Sequence, residues 1–146
     1  MTHPHPTLGQ LPDSACDTLA RWHEMVAVKD MSRLPELLAD NVCFRSPFAW
    51  KPYAGIAQTH FLLSTVITVF EDFTDTRVFE SATGCVLEFS ARVGDKALFG
   101  VDLIEFDADG KIVDFEVMIR PANALQALGA ELGKRLAAAG HAAQQS

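Results

Sequence analysis

Hydrophobic positions along this chain change their period partway. Leu19, Trp22 and Val26, with Ala15 and Met25 beside them, recur at three- and four-residue steps, which places them on one face of a helix ending near Lys29. Asp13 or Ser14 can cap its start, because a short side-chain oxygen satisfies an orphan amide. Ser32 is positioned to cap a shorter helix holding Leu34, Leu37 and Leu38, with Pro35 tolerated in the first turn. Val42 to Ser46 alternates and stops at Pro47, the pattern of a short strand. Phe48 to Gly55 reads as an aromatic loop. Ile56 to Phe70 is almost continuously apolar, and its length predicts a helix rather than a strand.

Beyond residue 70 the period becomes two. Thr76 to Ser81 predicts one strand, with a turn at Ala82-Thr83-Gly84. In the next strand Leu87, Phe89, Ala91 and Val93 share a face opposite Glu88, Ser90 and Arg92. Gly94-Asp95 predicts a tight hairpin, because glycine accepts positive φ freely. Lys96 to Phe106 and Lys111 to Arg120 predict two further strands around a turn at Asp107–Gly110. Leu125, Leu128, Leu132 and Leu136 then mark a closing helix. Helices followed by an antiparallel meander give an α+β fold. We expect one domain over residues 13–138, between a loose arm at 1–12 and a flexible tail at 139–146.

Composition narrows the function classes. The 146 residues hold 12 Lys+Arg against 19 Asp+Glu, a net charge of −7 without a basic run, which excludes nucleic acid and anionic membrane as expected partners. No apolar stretch reaches the ~18–20 residues of a membrane span. The start has neither the basic nor the apolar segment of a signal peptide. Three widely spaced cysteines, Cys16, Cys43 and Cys85, suit reduced thiols in a cytoplasm. No glycine-rich phosphate loop and no metal-ligand spacing occurs: His23-Glu24 begins like a zinc-protease helix, but Ala27 stands where the second histidine would be. Neither cofactor nor metal is expected.

Asp40-Asn41-Val42-Cys43-Phe44-Arg45-Ser46-Pro47, then Gly55, then Val101 to Val113 with its Asp107-Ala108-Asp109-Gly110 turn, resemble the nuclear transport factor 2-like superfamily. That group includes the SnoaL-like polyketide cyclases and the ketosteroid isomerases. The resemblance runs from about residue 14 to 125. It implies a cystatin-like cone, in which a curved antiparallel sheet and its helices enclose an apolar pocket, and pairing of copies through the outer sheet face. Carried over residue by residue, the isomerases' helix-one tyrosine falls on Trp22 and their strand-end aspartate base on Ser46, while their late-strand aspartic acid is kept as Asp102. A serine hydroxyl, unaided, cannot take a carbon-bound proton near pH 7. Steroid isomerisation by that mechanism is therefore not expected.

The candidate site follows. Gly100, Asp102, Ile104 and Phe106 share the face that the resemblance turns inward, so the Asp102 carboxyl should stand among apolar residues with a raised pKa. Expected walls are Trp22, Val26, Phe44, Leu62, Leu63, Leu87, Phe89, Phe115, Val117 and Ile119, with Ser46 as a small polar contact. Val113 joins Phe115, Val117 and Ile119 on the inward face, while Ile112, Asp114, Glu116, Met118 and Arg120 face out. His60, or else His23, is the candidate acid–base partner of Asp102. Arg45 and Arg120 point away from the pocket. Phe99, Val101, Leu103, Glu116 and Met118 mix apolar and charged side chains on the outer face, which suits a homodimer interface. The expected function is binding of a small hydrophobic or aromatic molecule. One alternative is an isomerase, cyclase or hydratase using Asp102 as acid with a histidine base; another is a non-catalytic dimeric interaction module whose pocket is filled by its own side chains.

Overall fold

A computed structural model describes residues 10–145, with side chains to residue 140. Its elements run α1 (Asp13–Val28), a 3-10 turn (Leu34–Leu37), β1 (Leu38–Arg45), β2 (Tyr53–Ala54), α2 (Ile56–Val69), β3 (Glu71–Glu80), β4 (Gly84–Val93), β5 (Lys96–Phe106), β6 (Ile112–Arg120) and α3 (Ala122–Gln145). The arm expected over residues 1–12 lies outside the described residues except for its last three, of which Leu11 is buried. Helix α3 runs on through residues 139–145, where a tail was expected, carried by the helix-forming alanines of that segment. Ser146 lies outside the described residues.

The fold is α+β. One curved six-stranded sheet has the order β2-β1-β6-β5-β4-β3. The meander from β3 to β6 is antiparallel at every step, but β1 runs parallel to β6, a pairing that the long intervening connection permits. The sheet is thus mixed rather than purely antiparallel. Strand β3 is its far edge and is exposed along most of its length, with Asp, Glu and Arg side chains that discourage further pairing.

Three local expectations need correction. No side chain caps α1: Pro12 holds that position, and Asp13 sits in the first turn, where its charge favours the helix dipole. Ser32 caps nothing either: the turn that follows starts after Arg33 with no side-chain cap bond, and the Ser32 backbone N–H donates to Asp30 Oδ1 at 3.0 Å. The expected second helix shrinks to a single 3-10 turn, since the Leu38 N–H bonds back to the Pro35 carbonyl and the chain leaves already extended. Strand β1 consequently starts at Leu38, and Ser46 becomes the first residue of the following loop. The third correction concerns β6. Phe106 pairs with Ile112 but Glu105 with Asp114, so Val113 is an extra, bulged residue. Ile112 therefore turns inward and is buried, against the simple alternation; beyond the bulge Phe115, Val117 and Ile119 face the interior as expected.

Helix α1 lies over the concave face, with Trp22 against Phe115 at a centroid distance of 5.1 Å. It is tied to the β5–β6 turn by Thr18, whose Oγ1 donates to the Gly110 carbonyl at 2.6 Å. Helix α2 packs on β1 and α3, so three helices and one sheet face enclose the interior. Among the described residues, no helix is long and apolar enough to cross a membrane.

Candidate ligand-binding site

A cavity of about 320 Å³ opens between the concave sheet face and the helices, within the size of small-molecule sites. The interior of the described residues is thus not filled by its own side chains. Two aromatic clusters build its walls. On one side Trp22 and Phe44 both pack on Phe115, with Tyr53 6.4 Å from Phe44 between ring centroids. On the other, Phe73 stacks on Phe89 at 4.9 Å and Phe70 touches both. Rings that brace one another in tilted contact keep a hollow open without filling it. Val26 from α1 and Leu62, Leu63, Val66 and Ile67 from α2 complete the ceiling.

Asp102 faces this cavity and is only 6% exposed. Burial is the main cause that pushes its carboxyl up to about 8, and the negative charge of Asp75 on β3 adds to it. Among the described residues no hydrogen bond to the carboxyl is found that would favour its ionised form. The backbone explains its isolation. Asp102 sits opposite Leu87 on one side and Val117 on the other, while Gly100, two residues away on the same face, has no side chain. The Phe89 ring leans into that gap so closely that a Cβ at position 100 would overlap it, with Cε1 at 2.9 Å. An acid kept neutral near pH 7 in an apolar hollow can donate one strong hydrogen bond to a ligand oxygen.

Of the expected site residues, Trp22, Val26, Phe44, Ser46, Leu62, Leu63, Phe89, Asp102, Phe115, Val117 and Ile119 meet around this cavity. Two do not. His60 lies on α2 but off the wall: its Nε2–H donates to the Met31 carbonyl at 2.9 Å, a contact to the loop after α1. The positions of α2 that face the cavity are Leu62, Leu63, Val66 and Ile67; His60 lies about a turn nearer the helix start and is held by the loop after α1 instead. Leu87 is fully buried on the inner sheet face, yet at its level the cavity touches Asp102 and Val117 and stops short of β4. His23 also stays off the wall, with Nδ1 3.4 Å from Asp75 Oδ2. Ser46 Oγ accepts the N–H groups of Phe48 and Ala49 at 3.1 and 3.2 Å, which fixes the loop and leaves its own proton free to donate. Arg45 points outward, 3.3 Å from Asp114.

Several lining residues were not anticipated as walls: Tyr53 and Phe48 from the aromatic loop, Phe70 and Phe73 around the start of β3, and Leu128, Leu132 and Leu136 from α3. The leucines carried a usable pattern, a four-residue repeat on a closing helix, each of the first two followed by glycine. Cys85, by contrast, is sealed in the core, where burial pushes its thiol up to about 12 and removes it as a nucleophile.

Residues 19–115 match the SnoaL-like domain family. A search among curated proteins found no match. Among solved structures, a steroid delta-isomerase from Pseudomonas aeruginosa is 55% identical, with 88% of this chain and 95% of that chain covered at a TM-score of 0.86. An uncharacterised protein with a cystatin-like fold from Silicibacter pomeroyi is 36% identical over 81% of this chain and 84% of its own, at a TM-score of 0.77. A nuclear transport factor 2-like protein of unknown function from Mesorhizobium loti, 18% identical over 77% of this chain and 100% of its own, has the same fold at a TM-score of 0.68.

Proposed function

From the premise that this chain belongs to the SnoaL-like family, we propose that it binds a small hydrophobic molecule bearing a hydrogen-bond acceptor, a carbonyl oxygen being the simplest, against the acid form of Asp102. The observation that carries this reading is a lone buried carboxyl, raised to about 8, on the wall of an otherwise largely aromatic and aliphatic cavity. Each 100 Å² of ligand surface removed from water there contributes roughly 2.5 kcal/mol. The carboxyl proton adds orientation more than affinity. A cytoplasmic location belongs to the same reading and rests on the three free cysteines.

The test is fluorescence titration with 2-acetylnaphthalene, a compact ketone, across pH. We expect affinity to hold at neutral pH and to fall as Asp102 ionises above about 8. Asp102→Asn, which keeps an N–H donor, should bind without that pH break, and Asp102→Leu should bind roughly tenfold more weakly. Wild-type affinity that ignores both pH and Asp102→Leu overturns the reading.

Likeness to a steroid delta-isomerase favours a second reading, in which the same acid polarises a bound ketone so that a neighbouring double bond shifts. Among the described residues, however, the wall holds no second carboxylate and no imidazole to carry the proton. We expect a ketosteroid to bind and remain unchanged. Isomerisation abolished by Asp102→Asn would promote the catalytic reading instead.

A further inference from the structure

Tyr53 is the chain's single tyrosine, and the site as described gives its hydroxyl no task. Its position is not accidental to the cavity. In β2 it pairs directly with the inward-facing Phe44, so the two side chains share the concave face, and its ring lines the cavity wall. Among the described residues its hydroxyl makes no hydrogen bond to the protein, and the residue is half-buried rather than sealed in the core. A phenol left half-buried on a cavity wall keeps its O–H free for water or for a ligand. The nearby Ser46 hydroxyl is in a similar position: its oxygen is occupied by two loop amides while its proton remains available.

The topology sets this second polar group apart from Asp102. Strands β2, β1, β6 and β5 are consecutive neighbours. Three strand spacings, roughly 14 Å of sheet, lie between the backbone of Tyr53 and that of the strand carrying Asp102. On the inner face between them stand the apolar side chains of Phe44, Phe115 and Val117, with Ser46 at the end of β1. The curvature of the sheet brings the two side chains toward a common hollow from opposite sides.

Resting on the binding mode proposed above, we infer that Tyr53 is the second polar pole of the pocket and selects ligands with an oxygen function at each end of a flat hydrophobic body. One oxygen accepts the Asp102 proton. The other, a hydroxyl or second carbonyl, meets the Tyr53 phenol, which can donate or accept. A ligand polar at one end only leaves the phenol unmatched, and discrimination comes from that missing bond rather than from shape.

Two probes that differ by one hydroxyl test this: 2-acetylnaphthalene and 6-hydroxy-2-acetylnaphthalene. The hydroxylated probe should bind wild-type protein roughly tenfold more tightly, the ordinary worth of one hydrogen bond. Tyr53→Phe should erase that difference, bringing the ratio of the two affinities close to one. With tyrosine labelled at the phenol carbon Cζ, the single signal should move further on adding the hydroxylated probe than on adding the other. If Tyr53→Phe weakens both probes equally, or neither, Tyr53 is only a wall and the inference fails while the Asp102 reading stands. If neither probe binds wild-type protein, both fail together.

Discussion

At the scale of single residues, the molecule's most consequential choice is to bury a carboxyl without a partner. An aspartic acid titrates near 3.9 in an unfolded chain, while Asp102 in the fold is raised to about 8. Between those values the folded state holds a proton that the unfolded state has lost. The stability linked to Asp102 is therefore fully present below pH ~4 and is lost as pH rises through about 8. Each unit of separation is worth about 1.4 kcal/mol, so the loss amounts to a few kcal/mol. Glu36 and Glu88 act in the opposite sense, held at about 2 by their arginine partners, and so act only at acid pH. Comparing wild type with Asp102→Asn isolates the buried group: thermal unfolding should show the variant gaining on wild type from pH 5 to 8, by the reasoning above. Parallel curves would mean that Asp102 is hydrated. Gly100 provides a second check. A methyl there would push the Phe89 ring aside and let water reach the acid. Gly100→Ala should lower the pH at which ketone binding breaks, in addition to costing roughly 1–3 kcal/mol of stability from overpacking.

At the scale of elements, α3 shows what the sequence could convey and what it could not. Its leucine repeat was legible, as were the inward set of β5 and the face that Trp22 occupies, because period and burial are the same fact seen twice. The bulge at Val113 was not legible: one unpaired residue inverts the facing of Ile112 with no trace in an alternation of apolar residues. Nor could a helical period tell how far along α2 the cavity would reach, which is why His60 was read as a site residue and proves to serve a loop carbonyl. The walls from Tyr53, Phe48, Phe70 and Phe73 depend on how the segment through β2 and the α2–β3 junction fold back over the sheet, which local pattern does not encode. The two glycines behind the α3 leucines make a differential prediction. A Cβ at Gly133 meets open space, whereas one at Gly129 comes within 3.0 Å of Phe48 Cε1. Gly133→Ala should therefore stabilise the protein by about 0.5–1 kcal/mol through helix propensity. Gly129→Ala should return less, because the Phe48 ring must yield. Equal unfolding midpoints for the two variants would show that Phe48 does not rest on α3.

At the scale of the whole molecule, the sheet divides two kinds of surface. The concave face carries the cavity; the outer face carries Phe99 and Met118, each about half exposed at 52% and 51%, with Val101, Leu103 and Glu116 between and beside them. The Arg77–Glu88 ion pair and Arg120 border the same groove. We propose that two copies pair through this face, burying the apolar centre inside a charged rim. Each copy carries a net charge of −7, so association must overcome like-charge repulsion. Dimerisation measured by sedimentation should accordingly tighten as salt rises, the reverse of an interface held by ion pairs. Met118→Glu places a fixed charge at the centre of the patch and should leave a monomer of unchanged fold. Because the substitution lies on the side of the sheet opposite Val117 and Asp102, ketone binding should persist in that monomer. A wild-type chain that sediments as a monomer at high salt would remove the outer face as an interface, and binding lost together with the dimer would show that the two faces are not independent.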